Sequence, residues 1–294
     1  MMKFIVAAAL GGAVPATAPA ALPDANPAMW VVKDADTTIY LFGTIHVLDG
    51  RQDWFNDEVK AAFDASEEVV LEARLPESPS ELQPLLRKYI RQGVDHSGRT
   101  LSSKLPADIK AKYDKALSAA GVPPQTFEPL KPWFASMAMT QIVTPAPSFN
   151  IGYGPEAILT QAARARGMPI GELEGMEYQL RLFDAMPEAQ QVALFGQMLD
   201  GAGKTDQAAP PMLVAWSAGD ADGLARLINA SIKDDGPLYD LMFTSRNRNW
   251  AEWIRNRLDK PGTVFVAVGA GHLAGKNSVQ QLLGERGILS ERVA

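Results

Sequence analysis

Two of the three histidines in this 294-residue chain stand in the same setting. In "TIYLFGTIHVL" (38–48) an apolar, β-branched run ends in Gly43, two residues, then His46. In "TVFVAVGAGHL" (263–273) a similar run ends in Gly269, two residues, then His272. Glu72 in "VVLEARL" and Glu174 in "PIGELE" also fall at the ends of apolar runs. Two imidazoles with one or two carboxylates form a donor set for a divalent transition metal, with positions left open for water. Such a metal brings bound water toward a neutral pKa and polarises a carbonyl. Without a metal, a histidine partnered by a carboxylate serves as general base toward water. Each residue also has a structural alternative. The imidazoles could be satisfied core side chains. Glu72, too costly to bury alone, could pair with Arg74 or with an arginine elsewhere. Glu174 competes with Glu172 and Glu177, and His96, in polar "GVDHSGRT", reads as solvated.

These residues can act together only if the elements before them converge. In α/β folds, ligands bind outside the carboxyl ends of parallel strands. If the four runs share one sheet and one direction, His46, Glu72, Glu174 and His272 meet on one rim, with Gly43 and Gly269 allowing tight turns there. The local pattern predicts a hairpin of "MWVVK" and "TTIYLFG" around "DADT", and a helix capped by Asp53 whose stripe includes Trp54, Val59 and Phe63. A third strand follows at 67–75. Residues 78–145 read as mostly helical, with capping-box spacing at Ser80 and Gln83, and stops at Gly93 and Gly121. Trp133, Phe134, Met137 and Met139 read as core. "TPAPSFNIGYG" reads as a loop, 155–167 as a helix and "MPIGELEG" as a fourth strand. Helices are expected at 187–201 and from about 210, joined by a flexible "GAGKTDQAAPP". A long helix at 236–259 stops at Pro261-Gly262 before the last strand. The coarse architecture is an α/β core with a helical insertion, at about 78–145, between the third and fourth strands.

Composition narrows the functions. The formal net charge is −6 and no segment is densely basic, which argues against a nucleic-acid partner. The absence of cysteine excludes disulfides, thiolate nucleophiles and cysteine metal sites. No G-x-S-x-G elbow, H-E-x-x-H helix or P-loop occurs. At the N-terminus, Lys3, "FIVAAALGGAV" and "ATAPA" have the order of a signal peptide cleaved after Ala18 or Ala20. That apolar run is shorter than the roughly 20 residues needed to span a bilayer. The expectation is residues 1–20 as leader and 21–294 as an exported, periplasmic or secreted domain with no stable membrane insertion.

The chain resembles the TraB/GumN family, whose eukaryotic relatives include the Tiki metalloproteases. The resemblance rests on "YLFGTIHVL", the glutamate of "VVLEARL", "LKPW" (130–133), "LEGMEYQ" (173–179), "SRNRNW" (245–250) and "VAVGAGHL" (266–273). It implies a mixed α/β fold, with a mixed central sheet flanked by helices, and an active centre of His46, Glu72 and His272 shaped by Gly43 and Gly269. In that centre the three residues would be catalytic groups or ligands of a divalent transition metal. Arg246 matches the family's arginine, for substrate binding or for orienting a carboxylate. Glu156, in "GYGPE", matches a looser acidic position. The resulting expectation is an exported hydrolase, metal-dependent and peptidase-like, acting on a peptide or other small substrate. The alternatives are a metal-free hydrolase of the erythromycin-esterase type, and a non-catalytic periplasmic binding protein for a peptide, sugar polymer or haem-like ligand.

Overall fold

The computed structural model describes residues 23–74, 76, 78–143, 151–201, 205–229 and 236–293. Six strands form one mixed sheet: β1 (Met29–Lys33), β2 (Thr37–Thr44), β3 (Glu68–Leu71), β4 (Ile170–Glu172), β5 (Gly262–Gly269) and β6 (Glu291–Arg292), in the order β4-β3-β5-β2-β1-β6. β1 and β2 form the expected antiparallel hairpin, and β6 adds antiparallel to β1. β2, β5, β3 and β4 are all parallel. Their carboxyl ends therefore share one edge of the sheet.

The apolar runs reflect burial on both faces, since successive side chains alternate between them. Val264, Val266 and Val268 of β5 join Ile39, Leu41 and Val70 under Trp250 and Ile254 of helix Ser245–Leu258. Phe265 and Ala267 point the other way, to Phe42, Val69 and Leu71, beneath Phe63 of helix Asp57–Ala65 and Leu159 of helix Pro155–Ala165. Each such large side chain contributes roughly 1.5–3 kcal/mol on burial.

Helices Pro79–Gly93, Leu101–Lys104, Ala107–Ala120 and Pro132–Val143 lie between β3 and β4. Tyr113, Leu117, Ala135 and Met139 from this insertion share a core with Phe195 and Leu199 of helix Glu188–Gly201, which comes from beyond β4. Trp133 and Met139 are buried as expected, whereas Met137 is exposed. Among the described residues, no helix is long and apolar enough to cross a membrane.

Several local expectations need correcting. Asp53 does not cap a helix: its backbone bridges to the segment at Pro23 and Ala25, and helix Asp57–Ala65 starts later, after Asn56. The cap at the next helix start is Ser78, whose hydroxyl accepts the Glu81 N–H at 3.3 Å, not Ser80 with Gln83; Pro79 occupies the first turn. β3 ends at Leu71, so Glu72 lies just beyond the strand. Its N–H still donates to the Ala267 carbonyl at 3.0 Å. Part of "GAGKTDQAAPP" is helical rather than flexible: helix Thr205–Ser217 runs through both prolines, held by Trp216 in the sheet core. Residues 202–204, the leader and 144–150 of the expected loop lie outside the described residues. Helix Met176–Ala185 and strand β6 carry no expectation above.

Candidate functional site

His46, Glu72, Glu156, Glu174, Arg246 and His272 sit at or behind the carboxyl edge of the parallel strands, whereas His96 lies exposed in the helical insertion, as expected. The register pairs Thr44 of β2 with Gly269 of β5, so both Gly-x-x-His segments leave the sheet side by side. His46, Glu72, Arg246, Gly269 and His272 line one cavity of about 460 Å³. Gly269 lies at its focus: a methyl group there would stand 3.3 Å from Glu72 Oε2, 3.6 Å from His272 Cδ2 and 3.8 Å from His46 Nε2. Gly269 has φ −50°, which any residue adopts. What the position requires is room, not a glycine turn. Gly43 is equally constrained, since its added Cβ would lie 3.1 Å from that of Ala270.

His46 stands at the cavity mouth with its side chain 63% exposed. Its Nδ1 meets Glu156 Oε1 at 2.7 Å, and the same oxygen accepts the Thr44 hydroxyl at 2.5 Å. The hydrogen bond and charge of Glu156 outweigh burial and push the imidazole up to about 9. Burial opposes ionisation of Glu156, but His46 holds its carboxyl below the usual range. His46 Nε2, the outer nitrogen, has no hydrogen-bond partner among the described residues.

His272 is buried and held on three sides by helix Ser245–Leu258. Arg246 Nη1 donates to its Nε2 at 3.1 Å. A guanidinium cannot accept, so Nε2 carries the lone pair and Nδ1–H donates to Asn247 Oδ1, at 2.5 Å. The Trp250 ring packs against the imidazole at 4.2 Å. Burial, with the charge of Arg246 beside it, pushes His272 down to about 3, so it is neutral.

Glu72 is the buried carboxylate expected, and it is paired. Arg246 Nη2 donates to Oε1, Gln179 Nε2 donates to Oε1 at 2.9 Å, and Gly269 N–H donates to Oε2 at 3.0 Å. Burial opposes its ionisation, yet His272, Arg246, His46 and the Gly269 N–H hold it at about 2. Arg246 also donates through Nε (2.8 Å) and Nη2 to Glu174, and through Nη1 to the Met242 carbonyl at 2.9 Å. That carbonyl belongs to a π-helical turn, Asp240–Thr244, leading into helix Ser245–Leu258. All five N–H bonds of Arg246 are thereby engaged. Asn247, Gln179, Thr44 and Trp250 were not marked as site residues by sequence reasoning. Trp250 stands four residues after Arg246 and three after Asn247 on helix Ser245–Leu258, and that spacing was the available signal.

The donor set fits a divalent cation only in part. His46 Nε2 and Glu72 Oε2 face the cavity, and both imidazoles have the far nitrogen fixed by an outer partner, as ligating histidines do. His272 Nε2, however, is taken by Arg246. Among the described residues no three His, Asp or Glu side chains are arranged to hold one ion.

The fold and site thus define an α/β protein with a His–Glu–Arg cluster at the carboxyl rim of a parallel sheet. The chain belongs to the TraB/PrgY/gumN family, whose model matches residues 28–292. It is similar to the uncharacterized protein YbaP of Escherichia coli (strain K12), 28% identical over 164 residues, 55% of this chain. That match spans 60% of the length of YbaP. An uncharacterized protein of Treponema pallidum (strain Nichols) is 23% identical over 276 residues, covering 88% of this chain and 81% of that protein.

Proposed function

We propose that this protein is an exported hydrolase of small esters or amides, peptide bonds included, with water activated at His46. The observation that carries this reading is the anchoring of His46 Nδ1 by Glu156, which leaves Nε2 at the cavity mouth beside Glu72 and His272. In its neutral form, Nε2 takes a proton from water as the oxygen attacks the carbonyl carbon. The imidazolium then returns that proton to the leaving alcohol or amine. Arg246 does not touch substrate in this reading; it fixes Glu72 and His272. His46→Asn, whose amide N–H can still donate to Glu156, should lower kcat on a reactive ester by roughly 10²–10⁴-fold in a protein shown by its melting curve to be folded. Failure of the wild type to turn over a broad ester and peptide panel would leave a binding protein instead. Export is tested by intact mass: secreted protein should begin near Pro19 or Ala21, and a retained Met1 would overturn it.

A second reading is favoured by charge. His46 is protonated below about pH 9, so three carboxylates (Glu72, Glu156, Glu174) face two cations; with His46 deprotonated, as a ligand to a metal must be, they face the Arg246 guanidinium alone. A divalent transition metal on His46 Nε2 and Glu72 Oε2 would balance that excess, and when bound it supplies a Lewis acid and a more acidic water. Elemental analysis with chelation separates the two. Loss of activity on chelation, restored by added metal, selects the metal-assisted enzyme.

A further inference from the structure

The cavity has two unlike ends. Beyond the polar cluster its wall is built by Leu182, Phe183, Met212, Leu224, Met242 and Phe243. These come from helices Met176–Ala185, Thr205–Ser217 and Ala221–Asn229 and from the π-helical turn, all in the segment between β4 and β5. A volume of about 460 Å³ exceeds what a water-sized nucleophile and a carbonyl need, and falls in the range of small-molecule pockets. Charge selects as well. Glu72, Glu156 and Glu174 outnumber Arg246 even with a protonated His46, and Arg246 has no N–H left to receive an anion. An anionic group entering this end would lose its hydration among three carboxylates, with the outer N–H of a protonated His46, at the exposed mouth, as the charged donor within reach.

We infer that the substrate is an uncharged acyl compound carrying a bulky aliphatic or aromatic group, seated against the Leu182–Met212 wall, and that anionic substrates are rejected. This deepens the hydrolase reading and rests on it for the reaction, but not for binding. Each methylene buried against the wall should be worth about fourfold in affinity.

Two measurements separate the claims. First, displacement of the uncharged probe N-phenyl-1-naphthylamine is followed with a series of amides. Octanamide should compete at least about tenfold better than butanamide, and octanoate at least about tenfold worse than octanamide. Leu182→Asp and Met212→Asp should weaken probe binding with melting temperature retained; the ligand series on wild type stands whether or not they fold. Second, kcat/KM is compared for p-nitrophenyl acetate and octanoate, with at least a tenfold preference expected for the longer chain. Chain-length selectivity in binding without any turnover would remove the hydrolase reading and keep the apolar site. Turnover without chain preference, or octanoate binding as well as octanamide, would overturn this inference and leave the hydrolase reading in place.

Discussion

Glu156 and His46, 110 residues apart in the chain, are joined by a 2.7 Å bond between Oε1 and Nδ1. That bond sets when His46 can accept a proton. Activity should rise with pH through the raised His46 ionisation near 9. In Glu156→Gln the limb should move down toward the ordinary histidine value of about 6.5 while the maximal rate falls. The folded-state pKa lies above the unfolded one. The stabilisation is therefore complete below about pH 6.5 and is lost as pH rises through 9. Histidine NMR titration of both proteins checks the shift; an unmoved His46 in the variant would remove Glu156 as its cause.

Glu72→Gln should fold, because Arg246 keeps Glu174, but should cost roughly 1.5–3 kcal/mol for the lost charged bonds. The native carboxyl is held at about 2, below its unfolded value. Its contribution is present above about pH 4 and is lost as pH falls through 2. The melting gap between wild type and variant should accordingly narrow between pH 5 and roughly pH 2. A gap that stays constant over this range would show that Glu72 is not charge-paired.

Gly269→Ala tests the focus of the site. The backbone there tolerates an alanine, but its methyl would press on Glu72 Oε2 at 3.3 Å and crowd both histidines. Melting temperature should change little, while turnover or ligand binding falls at least about tenfold, given the sensitivity of reaction geometry to small displacements. Unchanged turnover and binding would place the reaction elsewhere.

Asn247→Leu should leave the His272 Nδ1–H without its acceptor in a buried setting, at a cost of about 1–3 kcal/mol. Nitrogen NMR of wild type should show the Nδ1–H tautomer of a neutral ring down to acidic pH. An Nε2–H signal would contradict the Arg246 bond.

Lys104 and Asp95 form a buried ion pair inside the helical insertion, with side chains 1% and 12% exposed. Lys104→Met strands the carboxylate and should cost about 3–5 kcal/mol by denaturant unfolding, with no direct effect on the site.

Local sequence determined the β1–β2 hairpin and the presence of β3, β4 and β5, but not the end of β3 or the existence of β6. Apolar runs with a glycine three residues before a histidine mark β2 and β5, and Glu72 and Glu174 follow closely on β3 and β4, because side-chain period and backbone propensity act over a few residues. The same short range made Asp53 look like a cap and "GAGKTDQAAPP" like a linker. In those segments, distant contacts at Pro23 and in the Trp216 core prevail over local preference. Only the tertiary structure decided which carboxylate meets which partner. Glu156 reaches His46, and Arg246 joins Glu72, Glu174 and His272, through the parallel register of Thr44 with Gly269 and the seating of helix Ser245–Leu258 against β5. No spacing along the chain encodes those pairings, because they depend on long-range packing of the helices against the sheet, which brings side chains as far as 174 positions apart into contact.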